Sequence, residues 1–224
     1  MKVYKFGGTS VGSPERMKEV PRLITEDGES KIVVLSAMSG TTNSLVEIAD
    51  YLRKGNPEGA SNMVNRLHNI YKQHLPLLYT NEETTNRVRE RLDNIFLQLH
   101  EFRTREFSEA DEKAILAQGE IMSTNMVTEY LKECGVKAIL LPALDYMRLD
   151  SNGEPDLPYI RERLSYLLEK NPDYDIYITQ GFICRNAEGQ IDNLQRGGSD
   201  YTASLIGAAI RASEIQIWTD IDGM

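Results

Sequence analysis

Short runs rich in β-branched and aromatic residues recur at 3–6, 31–35, 137–141, 175–179 and 216–219, and helical patterns separate them. That alternation predicts an α/β fold. The long connections favour mostly parallel strands, covered on both faces by helices. The first helix is expected to start at Ser13, an N-cap residue, with Pro14 in its first turn and Glu15 placed against the positive end of the helix dipole. A second unit repeats the order: strand 31–35, a hydroxyl-rich loop over 36–43, then a helix carrying Leu45, Ile48, Ala49 and Leu52.

Between about 55 and 111 the pattern changes to two helices with no strand between them. Their apolar faces run through Met63, Leu67, Ile70 and Tyr71, and through Val88, Leu92, Ile95, Phe96 and Leu99. This segment reads as a helical excursion from the sheet, with Gly55, Pro57, Gly59 and Pro76 marking helix boundaries. The whole chain, 1–224, is expected to form one domain.

Composition narrows the function. Of the 224 residues 41% are apolar and 26% charged, as in an ordinary globular protein. A formal charge of -9 argues against nucleic acid or an anionic membrane surface as a partner, because both need clustered Lys and Arg. Cys134 and Cys184 lie far apart with no CxxC, so neither a zinc site nor a disulfide framework is expected, and a reducing cytoplasm is the simplest setting. The chain moves at once from its first residues into a glycine loop, so no signal peptide is expected, and no apolar run approaches membrane-spanning length.

Three polar constellations follow strands or sit in helices. In Lys5-Phe-Gly-Gly-Thr-Ser-Val-Gly12, Gly7 and Gly8 let backbone approach a ligand just before a helix N-terminus, which outlines an anion site without the Walker A lysine position. Lys5 interrupts an apolar strand; it either serves a phosphate or snorkels from an edge strand. In Arg196-Gly-Gly-Ser-Asp-Tyr-Thr-Ala203, Arg196 suits a carboxylate, Gly197 and Gly198 expose N–H groups, and Ser199 or Asp200 can cap the next helix, though capping alone does not explain Arg196 and the paired glycines together. Glu120, in Gln118-Gly119-Glu120, is either an exposed helical glutamate or a buried one that needs a cation such as a substrate ammonium. Weaker features are the 36–43 loop with Ser36 and Thr42, Thr179-Gln-Gly-Phe182, and Thr219-Asp220 after the last strand. His68, His74 and His100 lack metal-ligand spacing and read as polar or interfacial residues; no metal site is expected.

Taken in order, Lys5-Phe-Gly-Gly-Thr-Ser-Val, Ser36 through Asn43, Gln118 through Ser123, Thr179 through Phe182, Arg196 through Ala203 and Ile217-Trp-Thr-Asp220 resemble the aspartokinases of the amino acid kinase family. The resemblance spans essentially the whole chain. It implies a three-layer sandwich around a mostly parallel sheet, and phosphoryl transfer from ATP, with Mg²⁺, to the β-carboxylate of L-aspartate. That step opens lysine, threonine and methionine biosynthesis. It implies that Lys5, Gly7, Gly8 and Thr9 hold the ATP phosphates and that Thr219 and Asp220 begin the adenosine site. Lys5 and Asp200 would then stand at the transfer centre, with Ser36, Thr42, Glu120, Arg196, Gly197, Gly198 and Ser199 around aspartate. Because the family's chains continue past this segment, the resemblance also implies a C-terminally incomplete catalytic domain of a homo-oligomeric parent. Two alternatives stay open: another kinase of the superfamily, or a non-catalytic substrate-binding fragment.

Overall fold

The structure is a computed structural model that describes residues 1–194 and 197–219. Five strands, β1 (Lys2–Phe6), β2 (Lys31–Leu35), β3 (Ala138–Leu140), β4 (Ile176–Gln180) and β7 (Ile215–Trp218), form one parallel sheet in the order β3-β4-β2-β1-β7. Two further three-residue strands, β5 (Ile183–Arg185) and β6 (Ile191–Asn193), form a separate antiparallel hairpin. The helices are α1 (Pro14–Thr25), α2 (Thr41–Arg53), α3 (Pro57–Leu78), α4 (Glu82–Glu101), α5 (Glu109–Glu133), α6 (Leu157–Lys170) and α7 (Gly198–Ile210). None of these described helices is long and apolar enough to cross a membrane.

Strand parity sorts the side chains into two cores. Tyr4, Phe6, Val33, Leu35, Ile176 and Ile178 join one core with the apolar faces of α1 through α5. Val3, Ile32, Val34 and Tyr177 point the other way, onto α6 and α7. The result is helix, sheet, helix, and the central β2 is wholly buried, as a near-continuous apolar run should be. Lys5 shares its parity with Val3, so the period of two aims it at the α7 face.

The local expectations at α1 hold in detail: Ser13 is the N-cap, its hydroxyl accepts from Arg16 N–H, and Pro14 opens the helix. Elsewhere boundaries differ. Gly59 lies inside α3, as does Pro76, because a proline one turn from the end removes only one bond and the helix runs on to Leu78. Ile70 is exposed, whereas Leu67 and Tyr71 beside it are buried. The 36–43 loop is shorter than expected, since α2 already begins at Thr41.

Candidate active site

The carboxyl ends of β1, β2 and β4 and the N-terminus of α7 converge on one place, which is where parallel sheets put ligands. The glycine loop after β1 is pinned to the loop after β2: Ser39 N–H donates to Gly8 carbonyl at 3.1 Å, and Ser36 N–H to Phe6 carbonyl at 3.2 Å. A methyl at Gly8 would sit 2.8 Å from the Ala37 carbonyl, so only glycine permits this approach. A methyl at Gly7 would lie 3.5 Å from Lys5 Nζ, which places the ammonium over the loop.

Lys5 is 8% exposed and β1 is flanked on both sides, by β2 and β7, so it is not snorkelling from an edge. Its ammonium pairs instead with Asp200 Oδ1 at 2.9 Å. Asp200 is half-exposed in the first turn of α7, so the pair stands at the rim where a solvent-borne anion can reach it. Neither Ser199 nor Asp200 caps the helix. The N-cap is Gly197, left-handed at φ 75°, and it makes no side-chain capping bond. Ser199 and Asp200 are thereby left to face the site.

A cleft of about 300 Å³ opens between these elements, lined by Gly8, Ser36, Thr42, Glu120, Phe182, Gly198 and Ser199 among others. Ser36 Oγ donates to Ser199 Oγ at 3.0 Å, joining the β2 loop to α7, and Ser123 Oγ donates to the Ser36 carbonyl at 2.8 Å, joining it to α5. Phe182 holds φ 70°, a strained value for a bulky residue; Thr202 Oγ1 accepts from its N–H at 3.0 Å and its carbonyl accepts from Leu194 N–H. Its ring packs on Gly198, where any side chain would collide.

Glu120 forms the floor. It is 5% exposed, and Oε1 accepts the Ala37 N–H at 3.2 Å. Among the described residues no cation pairs with it. Burial pushes its carboxyl up to about 7, with the Ala37 bond opposing the shift. Of the two alternatives at this position, the exposed glutamate is excluded.

The sequence-derived set therefore comes together in large part: Lys5, Gly7, Gly8, Ser36, Thr42, Glu120, Gly198, Ser199 and Asp200 surround one cleft and its rim. Gly197 caps α7 there, Thr9 continues the glycine loop, and Thr219 follows β7 at the same end of the sheet. Arg196 and Asp220 lie outside the described residues. Sequence reasoning missed the Ala37 N–H, a backbone group with no residue signature, and gave no role to Ser123, which it had only as the end of the 118–123 motif. Among the described residues no cluster of three or more His, Cys, Asp or Glu is arranged to hold a metal ion. His68 is interfacial, meeting Asp93 at 2.6 Å and stacking on Phe96, and His100 meets Asn65 at 3.1 Å across α3 and α4.

A model described as "Amino acid kinase family" matches residues 1–224. The chain is 34% identical over 225 residues to lysine-sensitive aspartokinase 3 of Escherichia coli strain K12, covering 99% of this chain and 49% of that protein. It is 34% identical over 238 residues to chloroplastic aspartokinase 1 of Arabidopsis thaliana, covering 99% and 40% respectively. Among solved structures it is similar to E. coli aspartokinase III in complex with aspartate and ADP, with TM-score 0.86 and 33% identity over 100% of this chain and 50% of that one. The chain spans about half the length, or less, of the curated relatives it matches.

Proposed function

The chain belongs to the amino acid kinase family, and from that premise we propose that it is the catalytic domain of an aspartate kinase. It transfers the γ-phosphoryl group of MgATP to the β-carboxylate of L-aspartate, giving 4-phospho-L-aspartate and ADP. The observation that carries this reading is Glu120, a buried carboxylate with no described cationic partner on the floor of the cleft. An α-ammonium supplies the missing cation. The E. coli relative whose structure contains aspartate and ADP supports the choice of both substrates.

Glu120 binds the ammonium in this scheme, while Ser36, Thr42, Ser199, the glycine N–H groups at 197 and 198, and Arg196 orient the two carboxylates. The γ-phosphate lies over Gly7, Gly8 and Thr9 against Lys5, and Thr219 and Asp220 belong to the adenosine side. An oxygen of the β-carboxylate attacks phosphorus as the bond to the ADP oxygen breaks. A carboxylate with an ordinary pKa near 4 is already ionised at neutral pH, so no general base is needed. Positioning and charge neutralisation do the rest. Bound to the nucleotide phosphates, Mg²⁺ would supply further charge neutralisation there, with Asp200 the carboxylate that would face it. Asp200, fixed by Lys5, organises the transfer centre and provides a carboxylate near the phosphates.

The test is an acyl-phosphate trapping assay on the enzyme that carries residues 1–224, offered aspartate, glutamate or a nucleoside monophosphate. Aspartate is expected to be the preferred acceptor, and preference for either other compound overturns the reading. Lys5→Ala should lower kcat by about 100-fold or more, since it removes a charge aimed at the transferred group. A normal kcat with only a raised aspartate KM would remove Lys5 from the transfer centre.

A further inference from the structure

Tyr71 lies on α3, in the helical excursion, and is wholly buried. Its neighbours along the same face, Val64, Leu67, Leu75 and Leu78, carry no polar atom. A phenylalanine would fill the same space, so the hydroxyl needs its own explanation: a buried O–H costs free energy unless it finds a partner. The partner is Thr41 Oγ1, at 2.9 Å, on a residue itself 1% exposed.

Thr41 is a junction. It is the first residue of α2 and follows Gly40, which is left-handed at φ 80° and caps the helix without any side-chain bond. Thr41 N–H donates to the Met38 carbonyl, closing the turn that ends the 36–40 loop. Its methyl faces α5, 3.4 Å from where a Gly119 Cβ would be, while its hydroxyl faces α3. The loop it closes contains Ala37, whose N–H meets Glu120, and Ser39, whose N–H holds the glycine loop. Tyr71 is also close enough to feel Glu120: burial first, and then the Glu120 charge, hold its phenol above the ordinary value, against the Thr41 bond.

We propose that Tyr71 is a positioning residue for the cleft: acting through Thr41, its hydroxyl holds the 36–40 loop where the Ala37 N–H meets Glu120. The helical excursion is then a part of the site. This inference rests on reading the cleft as the aspartate pocket, so its tests separate the two ideas.

In the enzyme carrying this chain, Tyr71→Phe should raise the aspartate KM about fivefold, the effect of one lost buried hydrogen bond, and leave kcat and the MgATP KM within twofold. Thr41→Val should do the same. The double variant should be no worse than either single one, because the two residues act through one bond. Leu92→Ala, in the α4 core, should lower thermal stability without moving the aspartate KM; that control separates positioning from general loosening. A Tyr71→Phe KM within twofold of the parent, or additive effects in the double variant, overturns the proposal. A substrate-free readout stands apart from the functional reading: Tyr71→Phe should speed amide exchange at Ala37 and Thr41 in the unliganded protein. If the parent forms no acyl phosphate from aspartate, the assigned function fails, and unchanged exchange at those two amides then overturns the positioning role as well.

Discussion

Two glutamates on α5, about 13 Å apart along the helix axis, are both buried and are treated in opposite ways. Glu129 meets Arg87 at 2.8 Å, Arg91 at 3.2 Å and Lys132 at 3.0 Å, and it ties α4 to α5. Among the described residues Glu120 pairs with no cation and accepts the Ala37 N–H. Burial works to raise both carboxyls. At Glu129 the bonds to Lys132 and Arg87 outweigh it and bring the group below its ordinary value, whereas at Glu120 burial prevails. One helix thus carries an ion cluster that holds the fold together and a carboxylate that is uncomfortable until something else binds. Under the proposed function the second arrangement is that of a ligand site.

The largest effect should come from Glu120→Gln. Glutamine keeps the shape and can still accept the Ala37 N–H, but it cannot pair with an ammonium. Aspartate affinity should fall about 100-fold, the scale of a buried charge-assisted pair. Calorimetric titration with aspartate checks this, and an affinity unchanged within threefold would place the ammonium elsewhere. The same substitution should stabilise the empty protein. A carboxyl raised to about 7 holds its proton in the folded state after the unfolded chain has lost it. Its contribution is therefore complete below about pH 4.5 and is lost as pH rises through 7, a total of roughly 3 kcal/mol. At pH 5 the parent and Glu120→Gln should melt together; at pH 8.5 the variant should melt higher, and saturating aspartate should close the gap. Equal melting temperatures at pH 8.5 without ligand would mean that Glu120 is not strained.

Glu129→Gln should behave in the opposite way. Its partners Arg87, Arg91 and Lys132 are each 40–46% exposed at the side chain and can return to water, so the loss falls short of that for a fully buried pair. A stability loss of about 1–2 kcal/mol is expected at pH 7, with the aspartate KM unchanged. Because the Glu129 carboxyl is lowered in the fold, its contribution is present above the unfolded value near 4.5 and fades as pH falls below it. Denaturant melts at pH 7 and pH 3.5 should show the variant's deficit shrinking at the lower pH. A raised KM in this variant would blur the division between the two glutamates.

Much of the fold and of the site's loops was legible in the sequence, whereas the division between the two glutamates was not, and the reason is locality. Ser13, Pro14 and Glu15 announce a helix start with their own chemistry, and the glycine loop and the segment from Arg196 to Ala203 carry their residue types in contiguous order. The antiparallel hairpin escaped because strands of three residues show too little alternation to be recognised, and Pro76 misled because a proline near a helix end need not stop it. The state of Glu120 was undecidable from its neighbours on α5, which are a mixed set. What buries it is a loop 83 residues earlier in the chain, and what admits that loop is the missing side chain next door at Gly119.

Gly119→Ala tests that last point with the smallest change. Alanine improves helix propensity by about 1 kcal/mol, which taken alone would stabilise α5. The added methyl, however, would lie 2.8 Å from Ala37 Cβ, 3.3 Å from Leu45 Cδ1 and 3.4 Å from Thr41 Cγ2, and relieving such overpacking costs about 1–3 kcal/mol. The two terms nearly cancel in stability but not in geometry, because the loop can make way only by moving off α5. Thermal stability should therefore change little, by about 1 kcal/mol in either direction, while the aspartate KM rises several-fold as the Ala37 N–H is drawn from Glu120. If instead the melt falls steeply and KM holds, the loop is rigid and the helix has yielded. Glu120 would then owe its place to the sheet below rather than to the contact between Gly119 and Ala37.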